Sequence, residues 1–138
     1  DAANLRTAVR VLRMGQGTEF LEGILFPGGN MEVERLLTGI NGGSMLEELY
    51  ASSPLARAAE SGAMAARGGS LTQFEKDCDD AVLDEVRRAQ FVAFGEAPVI
   101  AYLAAKEAEI LAIRIILTGR LADLAPDIIR GRLREAYV

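Results

Sequence analysis

The sequence predicts an all-α protein, with seven or eight helices in a curved bundle around one long central helix. Three observations carry this expectation. Apolar residues recur at spacings of three and four from the first segment to the last. No stretch alternates apolar and polar residues for long enough to make a strand. The breaks between periodic segments carry glycines that stop helices and Ser, Asn or Pro residues that open them. Together they place roughly three quarters of the chain in helix, well above the ordinary share.

The elements follow in order. Asp1 to Met14 reads as a helix capped by Asp1, with Leu5, Ala8, Val9 and Leu12 on one apolar face. Arg6, Arg10 and Arg13 form a second, basic stripe along it. A short helix around Glu19 to Leu25 precedes the turn Phe26-Pro27-Gly28-Gly29, and Asn30 is placed to cap a helix from Met31 to Gly39 or Ile40. Ser44-Met45-Leu46-Glu47 has the capping-box pattern. Ser53-Pro54 opens an Ala-rich helix that Gly68-Gly69 ends. Ser70-Leu71-Thr72-Gln73 is another capping box, opening a long helix to about Phe94 with the seam Leu71, Phe74, Cys78, Val82, Val86, Ala89 and Ala93. Gly95 stops that helix, Pro98 opens the next to about Leu121, and Pro126 opens the last, from Asp127 to about Ala136.

Bulk properties exclude several classes. At 138 residues the chain suits a single helical domain over 1–138. The net charge of -5 argues against nucleic acid as partner, since phosphate contacts need a basic surface. No apolar run approaches the ~20 residues of a spanning helix. Histidine is absent, which removes the commonest general base and metal ligand, and tryptophan is absent too. The lone Cys78 cannot form an internal disulfide and fits a reducing compartment. The chain opens at Asp1 instead of Met, which suits a piece or processed product of a longer protein.

The helix from Pro98 to Leu121 is the most informative. At about 100° per residue, Val99, Leu103, Ile110, Ile113, Leu117 and Leu121 share one face. Ala101, Ala105, Ala108, Ala112 and Gly119 share the opposite one. A helix with a greasy side and a small-residue side is expected to be packed on both. Lys106, Glu107 and Arg114 flank the greasy face, so they are expected to be partly buried, charged structural residues with partners.

Each candidate for chemistry has a plainer reading. Asp77, Asp79, Asp80, Asp84 and Glu85 could hold a hard metal ion, but Arg87 and Arg88 follow, and Asp84–Arg88 is an i,i+4 pair; a solvated face is expected. The pairs Gly28-Gly29, Gly42-Gly43 and Gly68-Gly69 match no phosphate-loop pattern and read as helix stops. Cys78 lies on an apolar seam with no His to activate it, so it reads as structural. Ser44, Ser53 and Ser70 read as caps. No catalytic, cofactor-binding or metal-ligating residue is therefore expected. The stripe Arg6, Arg10 and Arg13 is the best local hint of a partner-contact surface.

The C-terminal third carries a resemblance. The runs Phe94-Gly95-Glu96-Ala97-Pro98-Val99-Ile100-Ala101-Tyr102-Leu103, Lys106-Glu107-Ala108-Glu109-Ile110 and Arg114-Ile115-Ile116-Leu117-Thr118-Gly119-Arg120 resemble the C subunit of bacterial and archaeal A/V-type rotary ATPases, the family of the eukaryotic vacuolar d subunit. The closing Ile128-Ile129-Arg130-Gly131-Arg132-Leu133-Arg134-Glu135-Ala136-Tyr137-Val138 resembles that family's own C-terminus, and the opening Asp1 to Arg6 and the Phe26-Pro27-Gly28-Gly29 turn also fit. The chain departs from the pattern at Ala112, where the family usually has Asn. The resemblance is strong from Phe94 onward and loose between Met31 and Asp80, and this chain looks like the C-terminal portion of the family protein.

The resemblance implies a funnel-shaped protein of three similar helical units that receives the central-shaft subunits and sits on the membrane rotor ring. It implies a non-catalytic central-stalk role without cofactor, and a cytoplasmic place, attached to the membrane only peripherally through the complex. Two other classes compete. One is a helical adaptor or interaction domain of another assembly. The other is a metal-dependent enzyme using Asp77, Asp80 and Asp84.

Overall fold

The computed structural model describes residues 1–134, the side chain of Gln90 excepted. Among these residues there are eight α-helices and no strand: α1 (Ala2–Arg13), α2 (Thr18–Glu22), α3 (Val33–Asn41), α4 (Leu46–Leu49), α5 (Ala56–Ala66), α6 (Leu71–Arg88), α7 (Ala97–Leu121) and α8 (Pro126–Arg132). A 3-10 turn, Ala89–Phe91, follows α6. Of the described residues 70% are helical, in line with the all-α expectation. Where one domain was expected, the chain divides into two compact units, Asp1–Cys78 and Asp79–Val138, with the boundary inside α6.

The first unit has a continuous core. Leu5, Ala8 and Val9 of α1 are fully buried, and Asn4 and Val11 extend the stripe. Against them lies α5, whose buried residues are small: Ala58, Ala59, Ser61, Gly62, Ala63 and Ala65. Small side chains let α1 and the start of α6 come close, and Phe74 and Cys78 of α6 are fully buried there. Leu21, Leu36 and Leu46 bring in α2, α3 and α4, and Tyr50, just after α4, is fully buried.

Several start signals act one or two residues from where the pattern put them. Asp1 makes no side-chain cap on α1; its carboxylate accepts from the N–H groups of Asn30 (2.9 Å) and Met31 (3.0 Å), pinning the loop after Gly29. Asn30 is thereby taken out of the capping role, and α3 starts at Val33. At α4 the box moves on by one residue: the Met45 N–H donates to Glu48 Oε2 at 3.2 Å. Ser53 does not sit at the start of α5. Its Oγ donates to the Tyr50 carbonyl and accepts from the Leu55 N–H, making a turn before Ala56. Ser70 does cap α6, accepting from the Gln73 N–H at 3.2 Å. Gln73 does not complete the box, because its amide donates to Asp77.

The end of α5 shows why a Gly pair sits there. Gly68 adopts φ +104°, and the Gly69 N–H reaches the Met64 carbonyl at 2.9 Å. A side chain on Gly69 has no room, since a Cβ would lie 2.8 Å from that carbonyl oxygen. This is the six-residue closure that ends many helices.

In the second unit α6 gives way to the 3-10 turn well before Phe94, the expected end. The seam loses its partners: Val82 is exposed, and Phe91 and Phe94 beyond it are 83% and 90% exposed. A helix end without packing is not held by propensity alone. Pro98 lies in the first turn of α7, and Pro126 is the first residue of α8. Between them Asp123 takes φ +52°, and the Leu124 N–H closes on the Gly119 carbonyl at 2.9 Å. The helix stop here is an Asp in the left-handed region, which Asp tolerates better than most residues. Arg134 Nε pairs with Asp79 Oδ2 at 2.7 Å. The part of the expected last helix beyond residue 134 lies outside the described residues, as does the run Glu135 to Val138.

Candidate interaction surface

The long helix α7 is not the central core element the sequence suggested. Of its 25 residues, only Ala101 and Gly119 are buried, and both belong to the small-residue face. Gly119 receives α8: a Cβ there would lie 2.7 Å from Ile129 Cγ1. The greasy face is bare. Leu103, Ile110 and Leu117 are each more than half exposed, and Leu121 is 88% exposed.

The expected burial of Lys106, Glu107 and Arg114 is therefore not found; all three are exposed. Burial of a flanking charge requires a neighbour over the stripe it flanks, and the stripe has none among the described residues. Lys106 pairs with Glu109 at 2.7 Å and lies over the Tyr102 ring, 5.9 Å from its centre. The hydrogen bond to Glu109 raises the Lys106 pKa above its usual value. Among the described residues no such partner is present for Glu107 or Arg114.

The basic stripe of α1 is engaged within the first unit. Arg6 Nε and Arg10 Nη2 converge on the two oxygens of Glu75, at 2.7 and 2.5 Å. Arg13 Nη1 donates to the carbonyls of Ala65 (2.8 Å) and Gly69 (2.7 Å), at the end of α5, where a cation suits the helix dipole. Arg10 remains 60% exposed.

The acidic run on α6 is not a simple solvated face. Asp77 and Asp80 are buried. Asp77 Oδ1 accepts from Arg57 (2.9 Å) and from Gln73 (3.0 Å). Asp84 pairs with Arg87, and Glu85 with Arg88, each at 2.7 Å and three residues apart, so the expected Asp84–Arg88 pair is replaced by two shorter-spaced ones. Asp77 and Asp84 are thus committed to guanidinium partners. Among the described residues no cluster of His, Cys, Asp or Glu is arranged to hold a metal ion. Cys78 is buried, as a structural thiol would be.

Sequence reasoning missed Glu75 as the anchor of the Arg stripe. A signal was present: Glu75 follows the seam residue Phe74, just as Arg6 follows Leu5 and Arg10 follows Val9. Charges beside facing seams meet when the seams pack.

The bare face, the ion-paired helices and the helical architecture suit a subunit built to pack against other subunits. A family model described as ATP synthase (C/AC39) subunit matches residues 1–132. The chain belongs to that family, which is the one its C-terminal third resembles. No curated protein and no solved structure matches it. Among the described residues, no helix is long and apolar enough to cross a membrane.

Proposed function

We propose that this chain is a non-catalytic central-stalk component of an A/V-type ATP synthase or ATPase, coupling the rotor shaft to the membrane ion-translocating ring. The observation that carries the reading is the family match over residues 1–132. Two features support it. The greasy face of α7 offers a long apolar strip of the sort that protein assemblies cover. Cross-bracing by Arg6, Arg10, Arg13 and Glu75 ties three helices of the first unit together and suits a part that carries load. Partners in this reading are the central-shaft subunits and the rotor ring, with attachment to the membrane only through the complex.

Arg10 is the member of the stripe best placed to meet an acidic partner, because its guanidinium keeps most of its exposure while paired. Arg6 and Arg13 act there as its supports.

The test is a titration of the chain against purified shaft subunits and against the detergent-solubilised ring, at low and moderate salt. Saturable one-to-one binding to either supports the stalk role. Weakening by salt and by Arg10→Glu places the Arg stripe at the contact. No binding to either at both salt concentrations removes the reading and leaves a helical adaptor of another assembly.

A further inference from the structure

Arg67 has two side-chain acceptors within reach, and neither holds its charge well. We propose that Met45 is a site of reversible oxidation, where peroxide converts the thioether to a sulfoxide whose oxygen Arg67 then holds, tightening the join between α4 and α5. The inference is independent of the stalk reading, which concerns binding to other subunits.

Arg67 follows α5 directly, and the end of that helix fixes its backbone. Its N–H and that of Gly69 both close on the Met64 carbonyl, at 3.2 and 2.9 Å. The guanidinium reaches back to the start of α4. Nη2 donates to Met45 Sδ at 3.6 Å and to Glu47 Oε1 at 3.4 Å. The second contact is at the outer limit of a hydrogen bond, and a thioether sulfur is a weak acceptor. A charged donor with such partners gains when one of them becomes a better acceptor. Met45 is 49% exposed, so its sulfur is open to a small oxidant from solvent. Among the described residues no other methionine sulfur accepts a hydrogen bond. Met14 and Met64 are exposed, and Met31 is buried.

The chemistry is a two-electron oxygen transfer. A lone pair on Sδ attacks one oxygen of hydrogen peroxide. The S–O bond forms as the O–O bond breaks. The departing oxygen takes the proton that the transferred oxygen carried and leaves as water. The sulfur is oxidised by two electrons, and the peroxide is reduced by two. The product places the negative end of a strong dipole on an oxygen one bond beyond the sulfur. That oxygen enters the gap to Nη2 and replaces the long contact with a charge-assisted hydrogen bond. The sulfoxide sulfur is chiral, so one epimer turns its oxygen towards Arg67 and the other turns it to water. Oxidation commonly loosens a protein because a polar oxygen enters an apolar interior. At Met45 the oxygen enters a half-exposed site beside a cation, so the sign reverses. Reductases specific for each epimer return the thioether, which makes the change reversible.

The experiment uses the full chain carrying Met14→Leu, Met31→Leu and Met64→Leu, which leaves Met45 as the remaining thioether. A second variant, with Met14→Leu and Met64→Leu alone, retains the buried Met31 and serves where the triple change disturbs folding. Dilute hydrogen peroxide is the probe, at a dose set by peptide mapping to leave Met31 and the buried Cys78 unmodified. Thermal unfolding compares oxidised with unoxidised protein, with Arg67 in place and with Arg67→Ala. Met45 is expected to take up one oxygen in the folded chain. Oxidation is expected to raise Tm by about 1–3 °C with Arg67 in place, and Arg67→Ala is expected to abolish the rise. The reductase for one epimer should remove the rise, and the reductase for the other should leave it. A Met45 that stays unoxidised until the chain unfolds, a Tm that falls or does not move on oxidation, a rise that survives Arg67→Ala, or a rise shared equally by both epimers overturns the proposal. None of these measurements reads binding to shaft subunits or ring, so the stalk reading stands or falls separately.

Discussion

Gly62 of α5 faces the ring of Phe74 so closely that a Cβ on the glycine would lie 3.0 Å from Phe74 Cε2, and 2.9 Å from Val9 Cγ2 on the other side. Three helices meet at this point, and the missing side chain sets their separation. In Gly62→Ala the helix gains about 1 kcal/mol of propensity, but the methyl group forces apart two fully buried side chains, at about 1–3 kcal/mol. The expected outcome in urea denaturation is a net loss of about 1 kcal/mol, with a larger loss for Gly62→Val. A Gly62→Ala variant more stable than wild type would show that the interior here is loose.

Tyr50 is fully buried, and its hydroxyl has no hydrogen-bond partner among the described residues. Burial, with a smaller contribution from the nearby Cys78 thiol, pushes its pKa up to about 12 from 10. The folded state thus holds the proton more tightly than the unfolded state. Its contribution to stability is complete below pH 10 and is lost as the pH rises towards 12, by about 2–3 kcal/mol. Tyr50→Phe removes the titrating group and should flatten this part of the profile. At pH 7 it should be neutral or stabilising by up to about 1 kcal/mol, because no partner is left unpaired. Thermal unfolding from pH 8 to 12 compares the two proteins directly.

Glu75 receives two guanidinium groups while only a quarter of its side chain is exposed. Glu75→Gln should lower stability by about 1 kcal/mol, and the difference from wild type should shrink in molar salt. Arg10→Ala should cost no more than about 0.5 kcal/mol, since Arg10 is mostly in water. Arg6, three quarters covered, should cost more. A double-mutant cycle between Arg6 and Glu75 measures the coupling.

Asp1 is expected to be a structural residue despite its place at the start of α1. Asp1→Ala removes the acceptors for the Asn30 and Met31 N–H groups and should cost about 1–2 kcal/mol. Hydrogen exchange is expected to rise at Asn30 and Met31 while the middle of α1 stays protected. Faster exchange along α1 with no change in the loop would restore the helix-cap role instead.

The helical class and most element positions could be read from the sequence, because apolar spacing and the Gly and Pro boundaries act locally. The stop at Gly68-Gly69 and the starts at Ser70, Pro98 and Pro126 are of that kind, whereas α6 ends at Arg88, short of the expected stop at Gly95. The misplacements arise where a residue has a distant competitor. Asp1 and Asn30 each have the right chemistry to cap a following helix, yet they bind one another's neighbourhood across 29 residues. The same holds for the Arg stripe, whose anchor lies 65 and 69 residues away. The amphipathic character of α7 was also legible, but periodicity reports which face could be buried and not whether a neighbour is present. That is why Lys106, Glu107 and Arg114, expected to be partly buried, are exposed. The helix stop at Asp123 carried no glycine to mark it.

The link between α1 and Glu75 also bears on how the chain acquires its structure during synthesis. α1 leaves the ribosome with an apolar stripe and three arginines, and the side chains that complete both come later, from α5 and α6. At ordinary rates of translation, roughly 3–13 s separate Arg10 from Glu75. Over that interval Leu5, Ala8 and Val9 lack the full cover that α5 and the start of α6 give them. Consolidation of the first unit therefore waits for the ribosome to deliver the start of α6, and a pause before that point lengthens the time for which the nascent chain is open to chaperones.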